Sequence, residues 1–402
     1  MGNKSTKQKC LGAAEQGLHD VEICGNSMNS VVSNPYILSK IMTFLDIPSL
    51  KSCRLVNKYW SDEATRQLKS RAITKIVFWP DELQHNRKTK KARFSDYLRR
   101  SFVCQNVHCV MDAEPNSSTL LLFLKKFGLQ VRNLSTNSTR NLKIWLEHSP
   151  NLTSVHIHTS ELDDLFPKDE PPFCQIKDLF FSFYGFSDSW SIPIANQMIH
   201  YFPNLERLSL KISDYDYDCK YIPDPLKGIA LQGKNWSPNL HSLNILSNHG
   251  FGPKLILFAN LGSKWRNIRI GHVLLERRDD VERFEGFLDK SKETLQELEF
   301  QLTSAACSLV LPRFSKLRKL EIQFNLHSPK IETFLYSEKF PVLEHFSYED
   351  KSEFNRPLLQ IFFPAEGQIC RTIKTLSVQL HRHNVAKELP HLEKLFPMAD
   401  FL

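Results

Sequence analysis

Side chains able to do chemistry are plentiful in this chain, but their spacing supplies no catalytic set. The fifteen histidines are scattered, and none falls in His-Glu-x-x-His, which would place two metal ligands one helical turn apart beside a general base. No Gly-x-Ser-x-Gly elbow and no Cys/His nucleophile signature occurs. His156/His158 and His381/His383 are alternate-residue pairs of the kind that line the surface of strands. The nine cysteines include no Cys-x-x-Cys, and their closest group, Cys104, His108 and Cys109, makes neither a zinc ladder nor a disulfide framework. Free buried thiols in a reducing compartment are expected instead. Asp214-Tyr215-Asp216-Tyr217-Asp218 and the acidic stretch from Glu161 to Pro171 lack the glycine and terminal glutamate of a calcium loop. They read as surface insertions, the first carrying aromatics of the type found at binding hot spots. The chain is expected to be non-catalytic, with no metal and no cofactor.

One covalent modification is written into the N-terminus. Met1-Gly2-Asn3-Lys4-Ser5-Thr6 fits the myristoylation pattern, with Gly2 exposed once Met1 is removed, and Cys10 is placed to carry a second acyl chain. One chain anchors only marginally, so Lys4, Lys7 and Lys9 or the second lipid would have to contribute. The net charge of +8, from 52 bases against 44 acids, is too modest to argue for nucleic acid. The densest basic run, 87–93, has no interleaved aromatics on which bases would stack and reads as a solvated loop. The first residues lack the apolar segment of a secretory signal, and apolar runs such as Leu120 to Leu124 and Leu358 to Phe363 fall far short of the ~20 residues of a spanning helix. An intracellular protein is expected, cytoplasmic or nuclear, reaching a membrane only if acylated.

The elements come next. Asn34 before Pro35 is a helix start, since asparagine caps the first turn and proline loses no hydrogen bond there. Ile37, Leu38, Ile41, Phe44 and Leu45 follow at helical spacing. Asp46-Ile47-Pro48-Ser49 ends that helix and begins a second carrying Leu50, Cys53, Leu55 and Val56. Trp60 opens a third, running to about Lys69. Three such helices have wide apolar faces but too few residues to bury them alone, a size at which outside help is the rule.

Asn34-Pro35-Tyr36-Ile37-Leu38, Ile41, Phe44-Leu45-Asp46, Leu50, Cys53-Arg54-Leu55-Val56-Asn57 and Trp60 resemble, in order and spacing, the F-box family. That resemblance covers about 35 residues and many fixed positions. It implies docking to the Skp adaptor, and through it to a cullin scaffold, in an SCF (Skp–cullin–F-box) ubiquitin ligase. The family's positions fall here on Pro35, Leu38, Ile41, Leu45, Leu50, Val56 and Trp60 as the interface or its immediate support. Two departures, Asn34 where a leucine is usual and Ile37 where an acid is frequent, bear on adaptor affinity.

Downstream, a strand-like stretch, Ile73 to Trp79, is closed by Pro80. From about residue 100 the chain repeats itself. Leu240-x-x-Leu243-x-Ile245-x-x-Asn248 and Leu317-x-x-Leu320-x-Ile322-x-x-Asn325 are complete copies of one pattern. Partial copies are Leu152/Val155/Ile157, Ile176/Leu179/Phe181, Leu205/Leu208/Leu210, Trp265/Ile268/Ile270, Leu295/Leu298/Phe300, Leu343/Phe346/Tyr348 and Ile373/Leu376/Val378. Weaker ones stand at Val131/Leu134 and Leu392/Leu395, and successive copies start 19 to 35 residues apart. Helical-period segments precede them, as at Leu142 to His148, Ile194 to Tyr201, Lys254 to Leu261, Val281 to Leu288 and Ile331 to Tyr336. Pro-Asn-Leu marks the change from helix to strand at 150–152, 203–205 and 238–240. Units this small must stack, strands in one parallel sheet and helices behind it. The repeat asparagines, Asn248 and Asn325, are expected to satisfy backbone groups in the turn after the strand. A doubly wound sheet also alternates helix and strand, but it needs a phosphate-cradling glycine loop and strands covered on both faces.

The fold class is therefore α/β: a short three-helix F-box followed by an irregular leucine-rich-repeat solenoid, a right-handed β/α horseshoe. Its parts are a tail at 1–32, the F-box at 33–69, a basic connector with the first strand at 70–100, and the solenoid at 101–402. Alternation turns the residues between the leucines away from the core. Arg207, Lys211, Asn244, Arg269, Glu297, Glu299, Lys319, Glu321 and His345 are the expected contacts to an unidentified protein target, basic in the middle repeats and acidic from Glu297 onward. With the resemblance, this implies a substrate receptor that brings a target to ubiquitin transfer through proximity alone. A repeat scaffold without ligase assembly is the alternative.

Overall fold

The computed structural model describes residues 34–71, 73–78, 106–111, 117–137, 141–159, 172–184, 200–213, 238–247, 264–275, 277–305, 309–324, 339–350, 369–379, 390 and 392–401. These fall in two compact units, divided at Thr74/Lys75 and again at Asn106/Val107.

The first unit holds three helices: α1 (Pro35–Phe44), α2 (Ile47–Cys53) and α3 (Lys58–Arg71). Each start is a side-chain cap. Asn34 Oδ1 accepts from Tyr36 N at 2.9 Å, Asp46 Oδ1 from Ser49 N at 2.9 Å, and Asn57 Oδ1 from Trp60 N at 3.0 Å, relieving amides that a helix start leaves unpaired. The cap at Asn57 explains one departure from the sequence reading. Leu55 and Val56 do not extend α2 but lie in a turn beyond it, where Leu55 N donates to Ser52 O and Val56 N to Cys53 O. The core is small: Leu38, Met42, Leu50, Ala64 and Leu68 are buried, with Leu45, Cys53 and Trp60 packed against them. Polar ties reinforce it. Arg71 donates to the carbonyls of Leu45 at 2.7 Å and Met42 at 2.9 Å, covering the C-terminal end of α1. Arg66 bonds both Glu63 on its own helix and Ser39 on α1.

The second unit is built on a parallel sheet. Its strands are β1 (Ile73–Phe78, belonging to this unit from Lys75), β2 (Asn106–Met111), β3 (Val131–Thr136), β4 (Ser154–Thr159), β5 (Asp178–Tyr184), β6 (Arg207–Ser213) and β7 (Ser242–Ser247). Beyond them lie β8 (Asn267–Leu275), β9 (Glu297–Ala305), β10 (Lys319–Phe324), β11 (His345–Asp350), β12 (Thr375–Gln379) and β13 (Asp400–Phe401). All thirteen pair in chain order in an open sheet, an arrangement consistent with a solenoid, in which each unit touches only its neighbours. Helices α4 (Ser117–Phe127), α5 (Leu142–His148) and α6 (Arg278–Ser291) are described between the strands.

Side-chain alternation decides which face is core. Leu208, Leu210, Leu243, Ile245, Ile268, Ile270, Leu298, Phe300, Leu320 and Ile322 are all at most 2% exposed. Helices cover that face: Phe284 of α6 meets Phe300 edge-on at 5.5 Å, and Phe123 of α4 packs on Phe78 at 5.4 Å and Trp145 at 5.9 Å. The α4 helix and β2 have no counterpart in the sequence reading, although both carry buried apolar residues at the right period. Leu392 and Leu395 correct it. They lie on a helical turn, and the strand follows at Asp400–Phe401, because their spacing fits a helix face as well as the first half of a repeat. Val378 is half-buried, unlike its counterparts.

A repeated backbone tie sets the register. The carbonyl just before each strand from β4 to β11 accepts two amides from the next repeat: Lys177 O takes Glu206 N and Arg207 N at 2.8 and 3.0 Å, and Gln296 O takes Arg318 N and Lys319 N at 2.8 and 3.0 Å. Asparagines of the Pro-Asn-Leu motif add a side-chain tie, Asn151 to Leu129 O at 2.8 Å and Asn204 to Cys174 O at 3.0 Å. Thr294 makes the same link to Trp265 O at 2.8 Å. Asn248 and Asn325 lie outside the described residues. Gly128 is required by close approach: a Cβ there would stand 2.2 Å from the His148 carbonyl oxygen.

Alternation gives a direct test of this architecture. Leu210→Ala should cost about 2–5 kcal/mol in urea unfolding, whereas Ser209→Ala should stay within about 0.5 kcal/mol. Equal effects at the two positions would contradict the assignment of faces.

Candidate functional site

Two surfaces qualify, one on each unit. On the first, the seven residues expected to dock or support an adaptor divide by exposure. Leu38 and Leu50 are core residues of the unit itself, and Leu45 and Trp60 are half-buried against them. Pro35, Ile41 and Val56 are exposed. The largest exposed apolar side chains were not among the seven. They are Leu55 at 88%, Tyr36 at 81%, Phe44 at 78% and Tyr59 at 63%. Phe44 was legible, three residues after Ile41 on the same stripe; Leu55 was not, because its exposure follows from the early end of α2. All four are exposed apolar side chains on a unit whose own core is small.

On the second unit, the sheet face opposite the core carries rows of side chains aligned by the register. One row runs Ser154, Asp178, Arg207, Ser242, Asn267, Glu297, Lys319, His345 and Thr375 across neighbouring strands. The next runs His156, Phe180, Ser209, Asn244, Arg269, Glu299, Glu321 and Ser347. All nine expected target contacts except Lys211 stand in these two rows; Lys211 is two residues beyond Ser209 on β6, facing the same way. Opposite charges meet between strands: Arg207 pairs with Asp178, and Arg269 Nε lies 2.8 Å from Glu299 Oε1. Lys319 Nζ lies 3.5 Å from Glu321 Oε2 on its own strand. Burial, and then the adjacent Glu321 carboxylate, push Glu299 above its ordinary range against the pull of Arg269 and Lys319. A depression of about 500 Å³ runs over this face from Ser154 to Lys319.

Asp178 and Phe180 are members of this face that the sequence reading did not name, although the triplet Ile176/Leu179/Phe181 places them there by alternation. Phe180 sits between two histidines, with ring centroids 5.2 Å from His156 and 5.7 Å from His158. His108 on β2 lies 6.3 Å from His156. Burial lowers the pKa of His108, helped by the charges of His156 and Lys75. Burial and then His158 lower that of His156, opposed by Asp178. Cys109 is a core thiol whose burial pushes its pKa well up and favours the thiol over the thiolate.

Among the described residues no group of His, Cys, Asp and Glu is arranged to hold a metal ion. No helix among them is long and apolar enough to cross a membrane. Gly2, Cys10, the basic run 87–93, the acidic loops and the pair His381/His383 lie outside the described residues. No protein-family model and no curated protein matches the chain.

The depressed histidines predict a pH dependence. Both resist protonation when folded, while the unfolded chain takes up protons near the ordinary value of 6.5. Stability is therefore intact above that value and is lost as pH falls below it. The urea midpoint should be lower at about pH 5.5 than at about pH 7.5, and the His108→Gln/His156→Gln pair should flatten the difference. An unchanged slope in that variant would remove these histidines from the account.

Proposed function

We propose that this chain is a substrate-recognition subunit of an SCF-type ubiquitin ligase. In this reading the helical unit is an F-box that docks the Skp adaptor and, through it, a cullin scaffold. The strands are leucine-rich repeats arranged as a right-handed β/α horseshoe, whose concave sheet face holds a protein target. The observation that carries the reading is the exposure of the large apolar side chains Phe44, Leu55 and Tyr36 on a unit with a core of a few residues. Such a surface gains several kcal/mol from a partner that removes it from water, at about 25 cal/mol per Å². Its position on the segment that resembles an F-box supports the adaptor as that partner. The ordered polar rows on the sheet face support the second half, since a face of charges, amides and hydroxyls recognises a protein segment by pairing its polar groups.

The chain would supply no nucleophile. It would hold a target lysine near a charged ubiquitin carrier, so that transfer becomes effectively intramolecular. No cofactor is needed for that role.

Because Phe44 and Leu55 are 78% and 88% exposed, changing them leaves the unit's core intact. Phe44→Asp and Leu55→Asp should each reduce co-purification of the Skp adaptor by more than about tenfold, the scale of an interface hot spot, with circular dichroism unchanged. Adaptor capture that is indifferent to both variants would leave a repeat scaffold without ligase assembly.

A further inference from the structure

The sheet's regular pairing is broken at β8. Its pairing with β7 stops at Ile270, and its pairing with β9 resumes at Val273 after a shift. Gly271 and His272 together oppose the single residue Gln301, which is a β-bulge. His272 carries φ 43°, the left-handed region that side chains avoid, and is the one non-glycine residue with positive φ among those described. Bulges and strained residues of this kind cost energy and gather beside binding sites. Here the bulge borders a recess of about 290 Å³ lined by Lys211, Leu246, Arg269 and Gln301 among others.

The hydrogen-bonding groups around this recess are unbalanced. Lys211 is half-buried and lines the recess with no ion pair among the described residues, and partial burial of an ammonium group calls for a compensating charge. Arg269 Nε lies 2.8 Å from Glu299 Oε1, and the Arg269 side chain is 55% exposed, which leaves its guanidinium open to solvent and to a further acceptor. Glu299, the one carboxylate among the lining residues, is already paired with Arg269. Two cations, Lys211 and Arg269, face one carboxylate in the lining, a charge balance that favours an anionic group. Glu299 and Glu321 stand side by side in the register, and their combined field disfavours a second negative charge on whatever enters.

We infer that the bulge recess accepts an aspartate or glutamate side chain of the protein target, carried on an extended segment laid across β6 to β9, with Lys211 and Arg269 meeting its carboxylate. This rests on the reading of the sheet face as the target-binding surface. Leu246 gives the side chain's methylenes an apolar wall, and the Gln301 amide is a further donor. The segment crosses the strands, which lie ~4.8 Å apart, so residues about three apart in an extended chain reach strands two apart.

The test is fluorescence anisotropy of the full-length chain with three labelled peptides of equal length: one with a central pair of glutamates in a Gly/Ser frame, one with lysines there, and one with phosphoserine. The glutamate peptide should bind more tightly than the lysine peptide, and more weakly as salt rises. Lys211→Glu should weaken it about five- to tenfold and Lys211→Gln by less, in line with one partly exposed ion pair. Lys143→Glu, a charge reversal on α5, should leave it unchanged and so separates the recess from the general attraction of a basic protein. Equal effects of Lys143→Glu and Lys211→Glu would overturn the inference. Tighter binding of the phosphoserine peptide would overturn the carboxylate assignment. Each variant is also assayed for adaptor capture. Peptide binding that ignores Lys211 while the adaptor is retained defeats this inference alone, whereas loss of the adaptor in Phe44→Asp does not touch it.

Discussion

One backbone contact governs the second unit: the carbonyl ahead of each strand from β4 to β11 accepts two amides from the repeat that follows. It recurs at Thr153, Lys177, Glu206, His241, Arg266, Gln296, Arg318 and Glu344. Main-chain atoms make the contact, so the residue type at that position is free, and threonine, lysine, glutamate, histidine, arginine and glutamine all occupy it. The segment between two strands can also vary in length without moving either strand's register. This is how repeats of such unequal size share one ladder, and why polar residues separated by tens of positions in sequence stand in straight rows. Arg207 meets Asp178, and Arg269 meets Glu299, only because that register is fixed.

The helical unit meets a different constraint. Its buried residues are too few to hold three helices by apolar contact alone, and polar groups make up part of the deficit. Capping side chains fix where each helix begins, and Arg71 covers the carbonyls where α1 ends. Those polar ties leave the largest apolar side chains unused. Phe44, Leu55, Tyr36 and Tyr59 remain outside, where they are available for a second protein without weakening the first.

The fold was legible wherever the pattern had a period. The buried triplets from Leu152 to Ile373 all stand on or beside strands, because Leu-x-x-Leu-x-Leu can turn its apolar residues to one side only as a strand with its lead-in turn. Leu392 and Leu395 lacked the third residue, and without it the same spacing became a helical turn. Strand β2 and helix α4 escaped notice because no complete copy of the repeat announced them. In the sites, the separation between buried and exposed members was not legible. Leu38 and Phe44 both belong to one apolar stripe, and only the packing of α3 decides that the first is core and the second is surface. The bulge at Gly271–His272 left no trace in the sequence beyond a glycine, since a two-against-one register depends on the neighbouring strand.

Strict chain-order pairing also determines how far a disturbance spreads. Each strand leans on two others and on nothing more distant in the sheet, so the array behaves as a one-dimensional stack with a finite cooperativity length. A local opening near β12 has no direct route to β4. One end of such a protein can loosen, exchange its amide protons and close again while the other holds its shape, which gives a single chain regions of different rigidity along its length.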